Sequence, residues 1–159
     1  MKIRLLVIGK LKDAYLKDAY NDYAKRLGKY VTLECEEFPD LATIENPSLT
    51  QKEEIKNKEC AKVLAKIKPR DYVILLDLGA KQLSSEDLAS QLEKWFVNGG
   101  SEITFVIGGS TGLSQAMKQR GNATLTLSEL TFTHGFARVI LLEQLYRSFK
   151  ILHHEPYNK

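Results

Sequence analysis

The chain has 159 residues, 43% of them hydrophobic and 27% charged, with 23 Lys+Arg against 20 Asp+Glu for a formal charge of +3. That length fits one domain able to bury a core without disulfides or metals, and the composition excludes disordered, collagen-like and coiled-coil chains. No apolar stretch approaches the ~18 residues that span a bilayer, the apolar run in residues 1–10 is too short for a signal peptide, and Cys35 and Cys60 stand far apart outside any C-x-x-C.

A reduced cytoplasmic protein is therefore expected. Taken in chain order, residues 3–8 read as a buried strand and residues 11–27 as a helix with apolar Ala14, Tyr15, Ala19, Tyr23 and Leu27. Residues 31–38 alternate apolar and polar, as a half-buried strand does. After a loop from Pro39 to Pro47, Ser48 or Thr50 caps a helix running to about Ile67, before Pro69. Residues 72–78 form the next strand. Ser84 or Ser85 starts a helix that Asn98-Gly99-Gly100 ends, with Glu86 and Asp87 favouring its positive end. Residues 103–107 make a further strand, 114–120 a short helix, 123–127 a short strand, and 133–153 a long final helix.

Strands alternating with helices predict an α/β fold, a single domain with a mostly parallel sheet and helices on both faces. The final helix is apolar nearly all round, through Phe136, Val139, Ile140, Leu141, Leu142, Leu145, Tyr146, Phe149, Ile151 and Leu152. One face lies on the sheet and the other needs cover, which predicts a symmetric dimer through this helix. Charge is unevenly spread: residues 1–30 carry a net +5 and residues 31–60 a net −5. A basic patch of this kind meets phosphate or is simply solvated, and charge alone does not choose.

Ligands of open α/β sheets bind outside the carboxyl ends of strands. Three such loops stand out: Leu76-Asp77-Leu78-Gly79, Gly108-Gly109-Ser110-Thr111-Gly112, and Leu127-Ser128-Glu129-Leu130-Thr131-Phe132. The glycine loop has the wrong spacing for G-x-G-x-x-G and lacks the Gly-Lys-Ser/Thr of a P-loop. It does match G-x-S-x-G, which makes a Ser110 hydrolase an alternative, with Glu129 or Glu143 and a later His. The bland alternative is a tight glycine turn; the third is three loops approaching a flat, uncharged ligand with their backbones. His134, His153 and His154 carry no metal-ligand spacing, so no metal is expected. Tyr157 for base stacking, with Arg138, Arg147 and Lys159 for phosphates, makes an RNA-facing C-terminal surface the sharper reading of that region.

The ordered set Phe105-Val106-Ile107-Gly108-Gly109-Ser110-x-Gly112-Leu113, Leu127-Ser128-x-Leu130-Thr131-Phe132-x-His134, Arg138-Val139-x-Leu141-x-Glu143-Gln144-Leu145-Tyr146-Arg147 and Pro156-Tyr157 resembles one known family. Gly9-Lys10-Leu11-Lys12, Tyr15 and Lys25-Arg26-Leu27 fit it too. It is the large-subunit ribosomal RNA methyltransferase H family of the SPOUT superfamily. The resemblance implies a homodimer whose C-terminal part is threaded as a trefoil knot. It also implies S-adenosylmethionine as cofactor and N3 of a pseudouridine in 23S rRNA, on the assembled ribosome, as target. Carried over, the cofactor contacts fall on Leu76, Gly108, Leu127, Ser128, Glu129, Leu130, Thr131 and Phe132. Arg138 and Tyr157 are expected to orient the base and His134 to shape its pocket. Where the family usually has a His and a basic residue after Pro-Tyr, this chain has Asn158 and Lys159, and an amide cannot accept a proton as a base. Thr133-His134-Gly135 stands where Pro-His-Gln is common. The non-enzymatic alternative is an RNA- or ribosome-binding module.

Overall fold

In the computed structural model, which describes residues 1–41 and 44–158, the apolar runs become five strands and the amphipathic stretches five helices. In order these are β1 (Lys2–Ile8), α1 (Ala14–Leu27), β2 (Thr32–Phe38), α2 (Leu49–Leu64), β3 (Val73–Leu76), α3 (Ser85–Asn98), β4 (Glu102–Ile107), α4 (Gln115–Arg120), β5 (Ala123–Leu125) and α5 (His134–Leu152). The strands form one sheet in the order β2-β1-β4-β3-β5, and every pairing in it is parallel.

The sheet is covered on both sides, which is why its central strands read as continuous apolar runs rather than alternating ones. Ile3, Leu5 and Val7 of β1, with Ile74, Ile103, Phe105 and Ile107, pack on one face against Leu27 of α1, Leu92 and Trp95 of α3, and Leu141, Leu145 and Phe149 of α5. The intervening Leu6, Ile8, Leu75 and Val106 pack on the other face against Cys60 and Val63 of α2 and Met117 of α4. Each fully buried aliphatic side chain contributes roughly 1.5–3 kcal/mol, so the three-layer arrangement rests on these two interleaved sets. Among the described residues no helix is long and apolar enough to cross a membrane.

The predicted starts of three helices are where side-chain oxygens take up free N–H groups. Ser48 and Gln51 form a reciprocal capping box, the Ser84 hydroxyl accepts from Asp87 N, and the Ser114 hydroxyl accepts from Met117 N. The helix predicted to reach Ile67 instead ends as α2 at Leu64, because Lys66 N and Ile67 N tighten onto Val63 O and Leu64 O, three residues back, ahead of Pro69. In α1 the inward stripe is Leu16, Tyr20, Tyr23 and Leu27 rather than Ala14 and Tyr15; Tyr15 is 60% exposed.

The acidic block at residues 34–37 falls on β2, an edge strand, where charge discourages pairing with another sheet. Three of its glutamates find basic partners: Lys2–Glu34, Lys66–Glu36 and Arg138–Glu37. Most of the apolar circumference of α5 is covered within the chain, by α1 on one flank and α3 on the other. The strip left open is narrow: Phe136 is exposed and Val139 and Ile140 are half-buried.

Candidate ligand site at the strand ends

Because β4, β3 and β5 lie side by side and parallel, their carboxyl ends deliver the three predicted loops to one edge of the sheet. The first and third loops are laced together. Asp77 N donates to Leu125 O at 3.1 Å, and the buried Thr126 hydroxyl donates to Asp77 O at 2.7 Å while accepting from Ala80 N at 3.0 Å. Nothing in the sequence marked Thr126, since a threonine in a short strand is ordinary. Thr126→Val leaves both of those half-buried backbone groups without this partner. It should lower the unfolding free energy by about 2 kcal/mol, read from urea denaturation with an unchanged slope.

The second loop closes on itself. Gly112 N donates to Gly109 O at 3.0 Å, and Gly112 takes φ +87, a left-handed conformation that suits glycine. Gly108 has a different need: a Cβ there would lie 2.9 Å from Leu113 Cδ2 and 3.2 Å from the Gly112 carbonyl carbon and oxygen. The glycines therefore fold the turn tightly against β4 and leave its peptide groups uncovered by side chains. In the third loop the Ser128 hydroxyl accepts from Leu130 N at 3.0 Å, and Leu130 and Phe132 project outward, 72% and 41% exposed. Leu76, Gly108 and Leu127, one from each loop, are half-buried. Exposed peptide groups and apolar side chains on three adjoining loops suit a flat ligand that is partly apolar.

Beyond the third loop the chain turns back across the sheet. β5 is an edge strand, yet the His134 ring lies against the end of β1, where a methyl on Gly9 would sit 2.8 Å from His134 Cε1. Three strand spacings separate β5 from β1, about 14 Å, a span that residues 126–133 reach with slack. Here His134 helps line a cavity of about 520 Å³ with Gly9, Lys10, Lys12, Tyr15 and Phe136. His134 Nδ1 is buried and has no hydrogen-bond partner among the described residues.

Arg138 stands one turn further along α5, only 2% exposed. Its Nη1 pairs with Glu37 Oε2 at 2.7 Å and its Nη2 donates to Gly9 O at 3.2 Å. It braces the end of β1 beside the cavity, while its Nε is buried without a hydrogen-bond partner among the described residues. Tyr157 belongs to a different cluster. Its hydroxyl donates to Glu143 Oε1 at 3.1 Å, its ring meets Tyr146 edge-on at 4.9 Å, and the Arg147 guanidinium lies 4.7 Å from its centroid. Burial, then the neighbouring Tyr23 and Glu143, push this hydroxyl well above the ordinary tyrosine range, so it stays protonated. Asn158 accepts from Arg147 at 3.1 Å and donates to Glu86 at 2.8 Å; Lys159 lies outside the described residues.

His134 and Arg138 are thus brought together, whereas Tyr157 rests beside Glu143, about 14 Å further along the helix axis. Of the acids that the hydrolase alternative would use, Glu143 is occupied by Arg147 and Tyr157. No group of three or more His, Cys, Asp or Glu side chains placed to hold a metal ion occurs among the described residues.

A family model described as "Predicted SPOUT methyltransferase" matches residues 1–158. The chain belongs to this family. Over 159 residues it is 49% identical to a protein of Clostridium acetobutylicum, covering 100% of both chains. It is 43% identical to one of Desulforamulus reducens, covering 100% of this chain and 99% of that one. Both relatives carry the name ribosomal RNA large subunit methyltransferase H. The resemblance read from residues 105–113, 127–134 and 138–147 thus extends along the whole chain, and the five-stranded parallel sheet is the α/β frame on which this SPOUT methyltransferase carries its loops.

Proposed function

We propose that this protein transfers a methyl group from S-adenosylmethionine to N3 of a pseudouridine in 23S rRNA on the assembled ribosome. In this reading it is a cytoplasmic homodimer, each chain a single domain over residues 1–159 whose C-terminal part is threaded as a trefoil knot. The observation that carries the reading is the convergence of the three loops at the carboxyl ends of β3, β4 and β5 in a chain of this family. The backward crossing of residues 126–133 supports the knot, because it takes the chain past the loops of two intervening strands.

The residues present fit the cofactor. Leu76, Gly108, Leu127, Ser128, Glu129, Leu130, Thr131 and Phe132 would hold it, the peptide groups of the glycine turn meeting its polar edge and Leu130 and Phe132 covering its apolar faces. When bound, S-adenosylmethionine supplies a methyl already activated on a sulfonium. What remains for the protein is in-line positioning and relief of the N3 proton.

The cavity beside these loops is suited to the RNA. Lys10 and Lys12 at its rim meet phosphates, and the exposed Tyr15 and Phe136 offer stacking surfaces. His134 shapes the pocket wall, its Nδ1 turned into the interior, and Asn158 cannot take the N3 proton as a base. Arg138 acts from beneath by fixing His134 and the end of β1. Tyr157 orients the base. Since Tyr157 and His134 do not meet within one chain, pairing two chains along the open strip of α5 gives the base contact with both.

The test is transfer of a labelled methyl from S-adenosylmethionine to ribosomes lacking the modification, beside free 23S rRNA, with mass spectrometry locating the product. Label on pseudouridine in ribosomes and not in free RNA is the expected result. In the same assay Tyr157→Ala should cut turnover on the order of 100-fold, the cost of a misplaced base, with cofactor affinity within about threefold of wild type. Absence of cofactor binding would overturn the reading in favour of an RNA-binding module.

A further inference from the structure

Glu59, on α2 and 1% exposed, lies beneath the glycine turn, and no step of the proposed reaction uses it. A carboxylate in that setting is costly, and an apolar residue of similar size is usually tolerated as well or better. Burial pushes the Glu59 carboxyl above its ordinary range, and the neighbouring Asp40 adds to this. Stability alone therefore gives little reason for an acid at this position.

Its contacts do give one. Oε1 accepts from the Thr111 hydroxyl at 3.2 Å, and Oε2 accepts from Leu41 N at 3.0 Å. A Cβ on Gly109 would lie 3.2 and 3.4 Å from the two carboxylate oxygens, so the acid also fills the space beneath that bare backbone. Thr111 and Gly109 belong to the turn after β4. Leu41 follows Pro39 and Asp40, which line the cavity beside His134. One carboxylate thus joins the proposed cofactor loop to the segment that walls the proposed RNA pocket.

We infer that Glu59 is a positioning residue whose carboxylate fixes the turn at residues 108–112, and with it the affinity for the methyl donor, while tying that turn to the segment at residues 39–41. The inference rests on the cofactor reading given above. Removing the carboxylate releases the turn from beneath without removing any group that touches the donor. The effect therefore falls on donor affinity and leaves the chemical step intact once the donor is bound.

Calorimetric titration of S-adenosylmethionine into wild type, Glu59→Ala, Glu59→Gln and Thr111→Val tests this, alongside thermal melts and steady-state methyl transfer. Glu59→Ala should weaken donor binding on the order of tenfold to 100-fold and raise the KM for the donor in step, with kcat at saturation within about twofold of wild type. Glu59→Gln keeps an acceptor oxygen and should recover affinity to within about threefold. Thr111→Val, which loses a single hydrogen bond at the turn, should shift affinity in the same direction by less. Wild-type affinity in Glu59→Ala, or melting temperatures that fall while affinity stays put, would overturn the inference. If Glu59→Ala does not fold, Thr111→Val decides: unchanged affinity overturns the inference and a weakened one upholds it. A wild-type chain that takes no donor overturns the functional reading and this inference with it. Wild-type binding with unaltered variants overturns the inference alone.

Discussion

Arg138→Met should lower the stability of the protein by about 3 kcal/mol, seen as a fall in melting temperature of roughly 6–12 °C. The guanidinium is 2% exposed and joins α5 to two other elements, through Glu37 on β2 and the Gly9 carbonyl at the end of β1. Methionine fills much of the volume but leaves the Glu37 carboxylate and that carbonyl without their donor. Breaking one half of a buried pair costs about 3–5 kcal/mol. The lower end applies here, because the Glu37 side chain is 35% exposed and stays partly hydrated. Glu37 Oε2 also accepts from Leu11 N at 3.3 Å, so the entry to α1 should loosen as well. Arg138→Lys retains the charge and one of the two contacts and should lose less. A variant that melts like wild type while turnover collapses would instead make Arg138 a group that touches the base.

A bracing role is not what the sequence suggests for Arg138. An arginine near a tyrosine and two histidines in a basic C-terminal stretch reads as an RNA-facing group, and only the fold reveals that its partner lies 101 positions away. The same holds for Thr126, which acts on Asp77 at a separation of 49, and for Glu59, which reaches Thr111 at a separation of 52. Such contacts leave no periodicity to read.

What was legible follows from local chemistry. Strands buried on both faces must be apolar along their length, so β1 and β4 were plain, and serines that cap helices marked the starts of α2, α3 and α4. Of the inward stripe of α1, Tyr23 and Leu27 were legible, whereas Leu16 and Tyr20 were passed over for Ala14 and Tyr15, which the fold leaves exposed; a tyrosine ring is apolar while its hydroxyl stays near water, so pattern alone does not say which tyrosine turns inward. The cover of α5 was only partly legible. Its apolar circumference says that several neighbours are needed, but not whether they come from α1 and α3 or from a second chain. The strand-end loops were found by topology rather than by any one residue. That is why their place at the sheet edge was legible and their mutual bracing was not.

Gly108→Val puts the cofactor reading to its sharpest test. The backbone at this position does not demand glycine by its φ; the demand is spatial. A Cβ would come to 2.9 Å from Leu113 Cδ2 and 3.2 Å from the backbone of Gly112. Leu113 is 3% exposed and packed in the core, so it cannot swing clear, and the turn itself must open. Overpacking of this kind costs roughly 1–3 kcal/mol. If binding requires the closed turn, a comparable amount is taken from donor affinity, which converts to a loss of between about fivefold and 150-fold. Gly121→Ala provides the comparison, because its Cβ would meet Leu75 Cδ1 and Cγ at 2.6 Å on the α2–α4 face of the core. It should lower the melting temperature as much or more while leaving donor affinity near wild type in the fraction that is folded. Calorimetry and thermal melts on the two variants separate the cases. Equal affinity in both would mean that the glycine turn serves packing only and that the donor, if it binds, is held by the other two loops.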